Sequence, residues 1–269
     1  MSHAAPQFTK VSGRSIHYVL LHKQWLKEGR PLLVFLHEGL GSIKQWKDFP
    51  NLLSDRVHCP ALLYDRYGYG LSEEREGPVY TRFLHDESII SLPELFINLG
   101  LENDPKILVG HSDGGTIALV HAGAHPQKIL GVISEAAHVL VEEATINGIL
   151  QVKSDFAKGR MRELLRRYHG ERTDRLVMSW VGNWLSEESL GWNVEDYLPR
   201  MTCPVLAIQG DQDHFGSYAQ LESIQKNAGG PARILYIEGC GHIPHKQAKD
   251  QVLDTMADFI LNIVSINQK

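Results

Sequence analysis

Three residues of this chain have the types and settings needed to pass a proton and form a transient covalent bond: Ser112, Asp213 and His242. A serine hydroxyl is a weak nucleophile unless a base removes its proton during attack, and that base works best when a carboxylate orients it. Ser112 sits in Gly110-His111-Ser112-Asp113-Gly114, after the apolar run Lys106-Ile107-Leu108-Val109 and before a helix-like run over 115–124. Small residues on both sides of the serine suit a tight strand-to-helix turn that projects the hydroxyl into a cleft. With 24 glycines in the chain, such a pattern arises readily by chance, so its context must carry it. Gly210-Asp211-Gln212-Asp213 follows a strand-like run over 205–209, and Glu238-Gly239-Cys240-Gly241-His242 follows another over 233–237. Asp213 fits the Gly-x-x-Asp spacing better than Asp211, and His242 is favoured over His245, which is expected at the start of the next turn.

The elements that must position these residues follow from periodicity. A short hairpin is expected over 8–11 and 15–21 around Ser12-Gly13-Arg14. Leu32 to Leu36 is a continuous apolar run, as in a strand buried on both faces. A helix-like stretch carrying Trp46 and Phe49 is expected to break at Pro50, and a strand to run from Cys59 to Tyr64. Phe83 to Leu99 reads as a helix that Pro93 should kink or shift, and 129–134 as a further strand. Between about Glu135 and Arg200 strand signals vanish, leaving helical patterns over 146–152, 156–168 and 176–185. Alternation then resumes, with a strand over 204–209, a helix over 218–226, a strand over 233–237 and a last helix over 249–264. The reading is a core formed by 1–134 and 201–269, with a helical cap, 135–200, inserted over the C-terminal edge of the sheet, where open α/β sheets place their ligands.

The motifs His37-x-Gly-x-Gly, Asp65-Arg-x-Gly-x-Gly-x-Ser, Gly110-x-Ser-x-Gly, Gly210-x-x-Asp and Gly241-His242, in this order, resemble the α/β-hydrolase superfamily. The nearest flavour is the small capped bacterial serine esterases and the related hydrolases of ring-fission products. The resemblance runs from about Leu32 to the C-terminus. It implies an α/β fold with an eight-stranded, mostly parallel sheet, no cofactor and no metal. The oxyanion hole is expected from the main-chain N–H groups of Gly39 and Asp113. Losing one such donor typically costs about 2.7–4 kcal/mol. His37 is read as a loop anchor. Two departures stand out, because many relatives have glycine at Glu38 and a small or apolar residue at Asp113. Carboxylates beside a site that stabilises an anion must be neutralised or turned away. Asp113 opens a helix, where the macrodipole favours it by about 0.3–1 kcal/mol, and Glu38 is expected to pair with Arg66 or a nearby histidine. Asp65-Arg66-Tyr67-Gly68-Tyr69-Gly70 lacks dinucleotide-binding spacing and reads as turn architecture.

Glu38, His138 and Trp184 are candidate pocket residues, and Glu135 is placed near them by position. Trp180, Trp192, Met178 and Leu185 read as cap core and pocket wall. The cationic cluster Lys158, Arg160, Arg162, Arg166, Arg167, Arg172 and Arg175 reads first as a solvated helix face; a sharper reading has one arginine binding a substrate carboxylate. A net charge of −5 argues against nucleic acid or an anionic membrane as the main partner, leaving a small-molecule substrate and allowing a homodimer. Cys59, Cys203 and Cys240 lack metal-type spacing and are expected as reduced thiols of a cytoplasmic protein; residues 1–10 show no apolar leader. Three functions follow: a serine hydrolase of small esters or related acyl compounds, a C–C bond hydrolase of a vinylogous diketo acid, and a non-catalytic ligand receptor on the same fold.

Overall fold

The computed structural model describes residues 5–267. Residues 1–4 and 268–269, which end the two outer segments expected for the core and include part of the stretch read for a leader, lie outside the described residues. Strands β1 (Gln7–Val11) and β2 (Arg14–Leu21) form the opening hairpin. β3 (Leu32–Leu36) is buried along its whole length, as a strand covered on both faces must be. A 3-10 turn, Ile43–Trp46, then leads into helix α1 (Phe49–Val57). Pro50 lies in the first turn of α1 instead of breaking a helix, because a missing N–H costs nothing where no intrahelical acceptor exists.

After β4 (Ala61–Tyr64) the chain forms α2 (Phe83–Asp86), a wide π turn at Glu87–Ser91, and α3 (Leu92–Leu99). The π turn accommodates Pro93, and the carbonyls of Ser88 and Ile89 are taken up by His121 at 2.7 Å and His125 at 3.2 Å. These histidines thus satisfy backbone groups that the proline leaves without helical donors. β5 (Lys106–His111), α4 (Asp113–Ala124) and β6 (Ile129–Glu135) follow.

The next segment is helical: α5 (Glu143–Ala157), α6 (Arg160–His169) and α7 (Thr173–Trp184). The single helix expected over 156–168 is divided by Gly159, whose φ of 96° ends one helix and redirects the next. β7 (Val205–Gly210), α8 (Tyr218–Asn227), β8 (Ala232–Ile237), the short α9 (Pro244–Gln247) and α10 (Lys249–Asn267) complete the chain.

The eight strands form one sheet in the order β1-β2-β4-β3-β5-β6-β7-β8. Only the pairings of β1 with β2 and of β2 with β4 are antiparallel. Period-two alternation divides the core. Val34, Leu36, Leu62, Leu108, Val132 and Ala207 face α3, α4 and α8. Leu33, Phe35, Leu63, Ile107, Val109 and Leu206 face α1 and α10. The helical segment is fastened to the loops beyond β3 and β4. His169 accepts the Gly70 N–H at 3.1 Å through Nδ1 and donates from Nε2 to the Leu40 carbonyl at 3.0 Å.

Candidate active site

β5 and α4 meet at Ser112, whose φ of 55° and ψ of −120° lie outside the regions a side-chain-bearing residue prefers. Such a conformation costs on the order of 1–3 kcal/mol and persists only when neighbours enforce it. Here the flanking glycines permit it. A Cβ on Gly110 would overlap the Gly114 carbonyl, and one on Gly114 would overlap the Leu36 carbonyl. The turn is thereby packed, at Gly114, against the end of β3.

Two later loops converge on it. His242 Nε2 lies 3.0 Å from Ser112 Oγ, while His242 Nδ1 lies 2.9 and 3.0 Å from the two Asp213 oxygens. Asp213 Oδ1 also accepts the Phe215 N–H at 2.9 Å. Burial opposes ionisation of Asp213, but the bonds to His242 and Phe215 hold its carboxyl below the usual value. The Asp211 side chain is exposed. His245 sits inside α9 and is buried, with Nδ1 2.9 Å from Glu135 Oε2. Glu135, placed by position near the pocket, is instead a fully buried partner of His245. β6 carries its carboxylate beneath α9 and away from the cavity.

Both unusual carboxylates are paired. Glu38 Oε2 lies 3.2 Å from His111 Nδ1. Arg66 turns to Asp113 at 3.5 Å, both side chains being at most 3% exposed, and Trp180 Nε1 donates to Asp113 at 3.3 Å. Burial nevertheless weakens the Asp113 acid and raises its pKa. Arg66 also donates to the Glu38 carbonyl at 2.7 Å. His37 Nε2 accepts the Arg66 main-chain N–H at 3.1 Å. Burial and the Arg66 charge push the His37 pKa down to about 3, so its ring is neutral and holds a loop. Gly39 is tightly constrained, since a Cβ there would enter the Trp180 indole. The Asp113 N–H belongs to the first turn of α4, where N–H groups lack intrahelical acceptors.

Ser112, Asp113, Gly39 and His242 open onto a cavity of about 300 Å³. Glu38, His138 and Trp184, expected there, line it. So do Ile149, Val152, Met161, Leu164, Leu165, Tyr168, Trp180 and Phe215, most of which periodicity alone could not aim. Phe215 covers His242, its ring centroid 4.4 Å from that of the imidazole; an aromatic residue directly after the loop carrying Asp213 was the available signal. Trp192 packs on Trp184, but Met178 is solvent-exposed and forms no wall.

The cationic cluster stays outside the cavity. Arg172 donates to the Ser72 carbonyl, Arg175 pairs with Glu74, and Arg162 and Arg166 face Asp174. Lys158, Arg160 and Arg167 line a surface depression with Asp155 and Glu163. Among the described residues, the lysine or arginine lining the cavity is Lys246, which is exposed.

A strained serine between strand and helix, with a histidine and an aspartate delivered by later loops of a mostly parallel sheet, defines an α/β-hydrolase site. The chain belongs to the alpha/beta hydrolase family, whose pattern it matches over residues 33–255. It is 24% identical over 299 aligned positions to a proline iminopeptidase of Saccharolobus solfataricus, covering 97% of this chain and 93% of that protein. Its fold is similar to a bacterial membrane phospholipase A (TM-score 0.77, 18% identity, 96% of this chain and 86% of the other). It is also similar to the enol-lactonase of Burkholderia xenovorans LB400 (TM-score 0.72, 19% identity, 94% and 99%). Among the described residues no helix is long and apolar enough to cross a membrane, and no group of three or more His, Cys, Asp or Glu is placed to hold a metal ion.

Proposed function

We propose that this protein is a serine hydrolase that cleaves small, uncharged esters or related acyl compounds through an acyl-enzyme. The observation that carries this reading is the connected path Ser112–His242–Asp213 opening into an apolar cavity. His242, oriented by Asp213, takes the Ser112 proton as the hydroxyl attacks the carbonyl. The N–H groups of Gly39 and Asp113 bind the oxyanion, His242 protonates the leaving group, and the same base then activates water to release the acid. The helices between β6 and β7 act as a cap that shapes the cavity and excludes water.

Charge favours an uncharged substrate. A C–C hydrolase of a diketo acid needs a cation for the substrate carboxylate; the cap arginines are engaged elsewhere, and Lys246, the lysine at the cavity, is solvent-exposed and its charge already acts on Glu38. An aminopeptidase resembling the archaeal relative needs a free carboxylate for the substrate ammonium, and Glu38 and Asp113 each already face a buried cation. Fluorophosphonate labelling with peptide mapping tests the site: Ser112 alone should be modified, and modification of another serine overturns the assignment. A panel of p-nitrophenyl esters, a dienoate and a prolyl anilide tests the class. Multiple turnover should be confined to the esters, whereas binding without turnover would mark a receptor.

A further inference from the structure

His111 precedes Ser112 and carries no role in the three-residue proton path, yet it is 2% exposed and has an acceptor beside each ring nitrogen. Nδ1 lies 3.2 Å from Glu38 Oε2, and Nε2 lies 2.7 Å from the main-chain carbonyl oxygen of His242. Each ring nitrogen therefore faces an acceptor, and only an imidazolium donates from both. Glu38 adjoins Gly39, one expected oxyanion donor; His242 is the base; His111 adjoins Ser112. One buried ring thus links the three chain segments that must keep register during acyl transfer.

We propose that His111, held as a cation between Glu38 and the His242 carbonyl, is a positioning residue that fixes the oxyanion loop and the base loop relative to Ser112. This rests on the reading of Ser112 as the nucleophile. Oxyanion donors must lie about 2.7–3.1 Å from the developing charge, and a misplacement of about 1 Å can cost on the order of 100-fold in rate. Removing the link leaves in place the apolar walls that α5, α6 and α7 contribute to the cavity. The loss therefore falls on kcat and spares KM.

The charge state supplies a second readout. The ionisable groups facing His111 are Glu38 from the loop after β3, Glu135 from β6, and His242, His245 and Lys246 from the segment after β8. His37 lines the same small recess. Burial opposes the imidazolium, but the hydrogen bond and charge of Glu38, with Glu135, outweigh it and raise its pKa to about 9. Both links are intact below that pH, and one is lost as pH rises through it.

The experiment compares p-nitrophenyl ester kinetics of the intact protein with His111→Gln, Glu38→Gln and the double variant from pH 6 to 10. Each single substitution should lower kcat on the order of 10–100-fold with KM within about 3-fold. The double variant should be little worse than either single one, as expected of a coupled pair, and the decline in kcat near pH 9 should disappear in the variants. Unchanged kcat, a change in KM alone, or additive losses overturn the proposal. Circular dichroism checks folding; if His111→Gln does not fold, the isosteric Glu38→Gln carries the test, and if neither folds the pair serves folding only and the proposal fails. Fluorophosphonate labelling of the wild-type protein separates the two levels. Labelled Ser112 with unaffected variants sinks only this inference, and unlabelled Ser112 sinks the reading beneath it.

Discussion

At the scale of single residues, a carboxylate's effect depends on its partner. Asp213 lies 2.9 Å from His242 Nδ1, and in the proposed mechanism it orients that ring. Asp213→Asn should leave the fold intact yet reduce kcat by about 10⁴-fold, because the amide favours the wrong imidazole tautomer. Ser112→Ala should abolish both labelling and turnover, a loss on the order of 10⁶-fold in kcat. Asp113 behaves differently, since it is buried against Arg66. Arg66→Met should destabilise the protein by about 3–5 kcal/mol, measured by urea unfolding, because it leaves a buried carboxylate unpaired. An effect below about 1 kcal/mol would mean that the charge is compensated elsewhere. Neither pairing could be read locally: Arg66 and Asp113, or Glu38 and His111, are far apart in sequence, and several partners fit each equally well until the strand order is known.

At the scale of elements, the turn at Ser112 concentrates the steric demand. Gly114→Ala drives a methyl into the Leu36 carbonyl and should cost about 3 kcal/mol. Gly182, exposed within α7 with nothing near its absent side chain, provides the contrast: Gly182→Ala should stabilise by about 1 kcal/mol through helix propensity. Equal effects at the two positions, measured by chemical denaturation, would contradict the packing argument. The central strands were legible because residues buried on both faces must be apolar without interruption, as over Leu32–Leu36. Pro50 misled, because its position within a turn decides the outcome: it begins a helix that it was expected to break. At Pro93 the expected irregularity is present as a π turn, and two histidines from α4 absorb the defect.

For the whole molecule, buried carboxylates set the response to acid. Asp65, Glu135, Asp213 and Glu38 are all buried or partly buried, and in each case histidine partners outweigh the burial penalty and depress the pKa. A depressed folded-state pKa contributes stability that is complete above the unfolded values of about 3.9–4.3 and is lost as pH falls below them. Asp113, with its pKa raised by burial, works in the opposite sense. Buried neutral His37 and His121, with pKa values held down to about 3 and 4, must also charge in acid, and their contribution to stability is lost as pH falls below their unfolded value of about 6.5. The urea midpoint should therefore decline from about pH 6.5 and fall more steeply below about pH 4.5; a midpoint unchanged down to pH 3 would refute this. The sequence by itself determined the sheet, the helical segment within it and the loops carrying Ser112, Asp213 and His242, because glycine at tight turns and unbroken apolar runs are local requirements of the backbone. Tertiary structure alone decided which cations neutralise Glu38 and Asp113, where Glu135 and the arginines between β6 and β7 point, and which apolar side chains wall the cavity. Those outcomes depend on which loops the strand order β4-β3-β5-β6-β7 brings side by side, and no local pattern encodes that proximity.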